Sequence, residues 1–125
     1  MKIPSSKRKK ALIIIDVQPQ YVTKRNKYIV KNILKLLNLV KYDMYIEAIF
    51  HAEKGSQWDR QQGRTYPKKN NFFTVEEIKK CLGENIIKIE KDRKSIFKGN
   101  KDLMTILKKS KISEIHLVGM DTIVV

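Results

Sequence analysis

Three features able to do chemistry follow apolar runs that read as buried strands: Asp16 directly after Ala11 to Ile15, Lys91 two residues beyond Ile89, and a turn opening at Gly119. In an open parallel sheet, ligands gather beyond the carboxyl ends of the strands. A carboxylate, an ammonium and a turn entering a helix would therefore share one small cleft if these runs lie in one such sheet. The turn would offer backbone N–H groups and a positive dipole end to an anion. Each feature also has a plain explanation, Asp16 as a strand-end cap and Lys91 as one lysine among 22. Spacing alone leaves both readings open.

The elements that must position these residues are legible as periodicity. Four runs rich in Ile, Val, Leu and aromatics read as strands, namely Ala11 to Ile15, Met44 to Phe50, Asn85 to Ile89 and Ile115 to Val118. Three of them are almost continuously apolar, which suits a sheet covered on both faces, as parallel sheets are. Over Asn26 to Lys41, the residues Ile29, Ile33, Leu36, Leu37 and Val40 fall on one helical face, with Asn26 as N-cap. Asn100 to Ser110 places Leu103, Ile106 and Leu107 at helical spacing. A short helix around VEEIKK is expected to start on a capping box of Thr74 and Glu77 and to stop at Gly83. The order is β-α-β-loop-α-β-α-β, an α/β chain. Its long connection, His51 to Phe73, is of a length that usually serves a site or an interface.

Composition narrows the classes. The chain has 125 residues, 42% of them hydrophobic, enough for one modest domain. The apolar run after the basic N-terminus ends at Asp16, too short for a signal-peptide core, and lysines interrupt every longer run. A soluble, cytoplasmic protein with no membrane partner is expected. The net charge of +14 would attract polyanions. However, the basic residues are 22 Lys and 5 Arg spread over every segment rather than clustered with aromatics, so any nucleic-acid binding is expected to be non-specific. Residues 1–10 read as a solvated basic tail. The single cysteine, Cys81, excludes an intramolecular disulfide and multi-cysteine zinc or redox motifs, and nothing nearby in sequence would activate it as a nucleophile.

At the residues that opened this section the chain resembles the isochorismatase-like cysteine hydrolases. ALIIIDVQ at Ala11 to Gln18 is similar to that family's opening strand, which delivers an aspartate followed two positions on by Gln. KDRKSIF at Lys91 to Phe97 is similar to the family's K-x-R-Y-S-A-F segment, matching at Lys91, Arg93, Ser95 and Phe97. LVGMDT at Leu117 to Thr122 is similar to the lead-in to its G-x-x-T-D-x-C-V elbow. The resemblance implies a three-layer αβα domain with a Rossmann-like parallel sheet, of which residues 11–125 would be the front part, the later strands and helices missing. It implies hydrolysis of a small amide or related small molecule by Asp, Lys and Cys, with Asp16 as acid/base and Lys91 as the lysine. A cysteine at a helix N-terminus beside an ammonium is held as thiolate and attacks an electrophilic carbon while the aspartate moves protons. Some members use the aspartate and lysine without covalent attack, to hydrolyse a vinyl ether. Gln18, Trp58, Phe97, Met120 and Asp121 are the expected substrate-pocket residues. Homo-oligomers formed through loops such as the one carrying Trp58, Tyr66 and Phe73 are common in the family.

Two departures stand at the elbow. Aligning Gly119 and Thr122 puts Ile123 where the family has Asp and Val125 where it has the nucleophilic Cys. Valine forms no thiolate, so this chain is expected to be inactive or nearly so. Thr-Asp-Cys-Cys-Val written GAT TGT TGT G after the threonine becomes Ile-Val-Val on loss of its first G. A one-base deletion is thus the favoured reading of this ending, ahead of a chain cut here or a natural short form, with a non-catalytic binding or interaction protein as the alternative function. The metal-using amidases of the family carry an Asp-x-His pair after the second strand. FHAEKGSQWD at Phe50 to Asp59 has His51 and Glu53 but no such pair, so neither metal nor other cofactor is expected. His51 and His116 read as structural.

Overall fold

The computed structural model describes residues 8–50, 73–91 and 102–120. Four parallel strands, β1 (Lys10–Ile15), β2 (Met44–Phe50), β3 (Ile86–Lys91) and β4 (Glu114–Gly119), form one sheet in the order β3-β2-β1-β4. Helix α1 (Lys27–Leu39) connects β1 to β2, α2 (Glu76–Leu82) precedes β3, and α3 (Leu103–Lys109) connects β3 to β4. The three-layer expectation follows from how β1 divides its side chains. Leu12 and Ile14 enter one core with Val30 and Ile33 of α1 and Ile78 of α2. Ala11, Ile13 and Ile15 enter a second core with Ile46, Ala48 and Ile89 and with Leu103 and Leu107 of α3. All five β1 side chains from Ala11 to Ile15 are buried, because the strand has a neighbour on each side and a helical layer on each face. A Leu or Ile buried in this way contributes about 1.5–3 kcal/mol.

Boundaries move in physically instructive ways. β3 runs to Lys91, so that residue is the last of the strand rather than two residues beyond it. Helix α1 stops at Leu39, with the N–H of Val40 donating to Leu36 O from a residue already extended. Asn26 precedes α1, but its side chain does not cap the helix. Its amide instead clasps the preceding turn, the oxygen accepting from Thr23 N at 2.6 Å and the nitrogen donating to Tyr21 O at 2.8 Å. The Thr74–Glu77 capping box does not form: α2 starts at Glu76, and Thr74 lies fully buried with its N–H donating to the Glu47 carboxylate at 3.3 Å. Burial against β2 has overridden the local cap. Gly83 does end α2, with φ +66° and its N–H on Lys79 O.

The edges differ from the centre. Among the described residues β4 pairs only with β1, and its Ile115 and Leu117 are 37% and 38% exposed on the face that α3 covers nearer the middle. On the other face Tyr42, just after α1, hydrogen-bonds His116 of β4, Oη to Nδ1 at 2.7 Å, with the two rings edge-to-face. This contact clips the edge strand to the α1–β2 connection. At the far end of β4 the backbone of Gly119, with φ +143°, runs so close to β1 that a Cβ would lie 2.0 Å from the Ile15 carbonyl oxygen. The next residue closes the contact, Met120 N donating to that same oxygen at 3.0 Å.

Two outcomes follow for stability. Gly119→Ala should cost about 4 kcal/mol or abolish folding, since backbone must move, whereas Gly83→Ala, with open space around it, should cost only about 1–2 kcal/mol of backbone strain. Equal shifts in urea midpoint for the two variants would contradict the close approach. Burial first, then Tyr45 and Glu114, raises the Tyr42 phenol above the ordinary tyrosine value. Because the folded state holds that proton more tightly, its contribution is complete below the ordinary value of about 10 and is lost as pH rises through the raised one. Tyr42→Phe should therefore lower stability by about 1 kcal/mol at neutral pH and flatten its alkaline decline, as read by urea unfolding across that range.

Candidate functional site

The carboxyl end of β1 is bolted in place residue by residue. Asp16 turns the chain out of the strand with φ +58°, a left-handed conformation that aspartate tolerates better than bulkier residues, and its N–H donates to Ala48 O of β2 at 3.0 Å. Val17 is fully buried and accepts from Val75 N at 2.9 Å, tying the same loop to the start of α2. Gln18, also fully buried, reaches the end of β2: Phe50 N donates to its Oε1 at 2.8 Å and its Nε2 donates to Phe50 O at 3.3 Å. Pro19–Tyr21 then forms a single 3-10 turn that carries the chain toward α1. Asp16 itself is partly buried, its carboxylate oxygen Oδ1 shielded from solvent.

Lys91 ends β3 with Phe50 of β2 as its register partner, while Ile15, just before Asp16, partners Ala48 on the other side of β2. Asp16 and Lys91 thus flank the end of β2, two strand spacings apart, about 10 Å between backbones. Gly119 ends β4 beside Ile15, so the turn after β4 opens next to Asp16. All three strand ends singled out in the sequence lie at the carboxyl end of the sheet, Gly119 beside the end of β1 and Lys91 beside the end of β2.

The other expected pocket residues divide. Met120 is 3% exposed and packs in the core that contains Leu12, Ile14 and Val30. Gln18 spends its amide on the Phe50 backbone. Trp58, Phe97, Asp121 and Val125 lie outside the described residues, as do His51, Glu53 and Tyr66. Phe73 is partly exposed, with Lys79 Nζ 5.7 Å from its ring centroid. Cys81 is exposed on α2. His116 is engaged with Tyr42, and its Nε2 lies 3.8 Å from the Glu114 carboxylate, in the half of β4 remote from Asp16. Among the described residues no group of three or more His, Cys, Asp or Glu is placed to hold a metal, and no helix is long and apolar enough to cross a membrane.

Glu47 went unread in the sequence. It is 2% exposed within β2, its carboxylate accepting from Thr74 N, so it anchors the segment entering α2 directly beneath the site. A lone acid inside the run MYIEAIF was the available signal, since a buried carboxylate needs a built partner. An apolar groove of about 210 Å³ between α1 and the end of β4 is lined by Ile29, Asn32, Ile33, Leu36, Val118 and Gly119.

A partly buried carboxylate at the end of one parallel strand, with a lysine position two strands away and a strand-to-turn transition beside it, can exchange protons with a small bound molecule and stabilise charge on it. No curated protein matches the chain. A solved structure of an isochorismatase-like hydrolase from Alkaliphilus metalliredigens superimposes with a TM-score of 0.66 at 20% identity, a likeness of fold. The match covers 87% of this chain and 65% of that one, so this chain spans just under two thirds of the length of that hydrolase. The family model of the isochorismatase domain matches residues 10–125, from the first residue of β1 onward, and on that match the chain belongs to the isochorismatase family.

Proposed function

We propose that the chain carries the acid/base and lysine positions of an isochorismatase-like hydrolase site for a small amide or related small molecule, with Asp16 and Lys91 in those roles. The observation that carries this reading is the placement of Asp16 at the end of β1, its N–H held by Ala48, with Lys91 ending β3 on the far side of β2. In the cysteine hydrolases of this family a thiolate attacks the carbonyl carbon, the aspartate passes the proton and the lysine steadies the charge. Here Val125 stands at the thiol's position, and a valine side chain has neither proton to lose nor lone pair to donate. We therefore place the chain among proteins that keep the ligand site and lack the covalent step. The same substitution favours the second reading, a non-catalytic small-molecule-binding or interaction protein on this fold. The lone exposed Cys81 suits a reducing, cytoplasmic setting.

Benzamide serves as the probe. Titration followed by NMR should show saturable binding that Asp16→Asn or Lys91→Ala each weakens about tenfold, the loss of one charge-assisted hydrogen bond, with ammonia release at the uncatalysed rate. Affinity unchanged in both variants would remove the two residues from the site. Ammonia release by the unaltered chain, abolished by either substitution, would show that a noncovalent aspartate–lysine route suffices and that the inactive reading is wrong.

A further inference from the structure

Gln18 performs a task that its place in the sequence did not suggest. β1 leaves the sheet at Ile15, whose partner is Ala48, yet β2 continues to Phe50. From that point the side of β2 that had faced β1 needs new hydrogen-bond partners, because buried peptide groups without them cost free energy. The Gln18 amide supplies both at once, accepting from Phe50 N at 2.8 Å and donating to Phe50 O at 3.3 Å. A side chain thus continues the ladder where the strand has turned away. On its other side Phe50 is the register partner of Lys91.

We propose that Gln18 is a positioning residue that sets Asp16 relative to Lys91 by clamping the end of β2 between them. This rests on the hydrolase-site reading above. Gln18 lies two residues from Asp16, is fully buried, and grips the one residue that stands in register with Lys91. The side-chain chemistry is specific. Asparagine is one methylene shorter, methionine fills the space but makes neither bond, and glutamate keeps an acceptor for Phe50 N while an ionised carboxylate would face the Phe50 carbonyl. Asp16 N on Ala48 O and Val75 N on Val17 O also hold this loop, so relaxing Gln18 loosens the strand end and the Asp16 bond beside it, while the Val17–Val75 tie keeps the loop attached. The expected consequence is a displaced site in a chain that still folds.

The test compares the full chain with Gln18→Met, Gln18→Glu and, as a control for stability, Ile33→Val in the core beneath α1. Gln18→Met should weaken benzamide binding about tenfold, Gln18→Glu less, and Ile33→Val not at all at matched stability in urea. Hydrogen exchange should show the Phe50 and Asp16 amides losing protection together in Gln18→Met, beyond any change in global stability. Benzamide affinity unchanged in Gln18→Met, or equally reduced in Ile33→Val, would overturn the proposal. If the unaltered chain fails to bind benzamide, the hydrolase reading falls by itself. Exchange then decides the clamp, which stands if both amides lose protection and is overturned if Asp16 keeps it.

Discussion

The fold depends on β1 being the strand that everything else is measured against. It pairs in parallel with β2 on one side and β4 on the other, and it is buried on both faces by helices from different layers. A strand in that position has no freedom to shift register, because a one-residue slip would exchange Leu12 and Ile14 for Ala11, Ile13 and Ile15 across the two cores. Its end is therefore a fixed point in space. Asp16 inherits that fixity, and the Ile15 carbonyl, which accepts from Met120 N, passes it to the end of β4. Gly119 is the residue that allows the approach, since any side chain there would collide with that carbonyl.

Much of this was legible because continuous apolar runs flanked by polar breaks encode parallel strands strongly. β2 was read to the residue, and the helix periodicity of Ile29, Ile33 and Leu36 placed α1 within a residue or two of its ends. What was not legible depends on contacts remote in sequence. Thr74 and Glu77 have the spacing of a capping box, but Thr74 N is taken by Glu47, 27 residues earlier, and no local pattern announces that bond. Asn26 has the type of an N-cap and the position of one, yet its amide is better satisfied by the turn before it. In both cases a polar group had two local uses, and tertiary packing chose the one that sequence spacing does not favour.

The candidate site divides along the same line. Asp16 and the Gly119 turn were visible because each sits at the end of an apolar run, and the fold brings those ends together. Lys91 was visible from its place two residues beyond an apolar run and then by resemblance, and the register with Phe50 gives its backbone a defined place. Gln18 was expected among the substrate-pocket residues by the same resemblance. Its amide bonds the Phe50 backbone, as a buried polar side chain must when strand partners run out. On the proposed alignment Val125 bears on chemistry rather than fold, since a valine at the nucleophile's place could not supply an attacking pair.

Asp16 and Lys91 are proposed to share one small-molecule site beyond the ends of β1 and β3. A crystal structure determined with saturating benzamide tests it most directly. The amide should be bound over the end of β2, within hydrogen-bond distance of the Asp16 carboxylate and the Lys91 ammonium. Benzamide seated instead in the apolar groove between α1 and β4, with Asp16 and Lys91 making no contact to it, would rule out a site shared by those two residues.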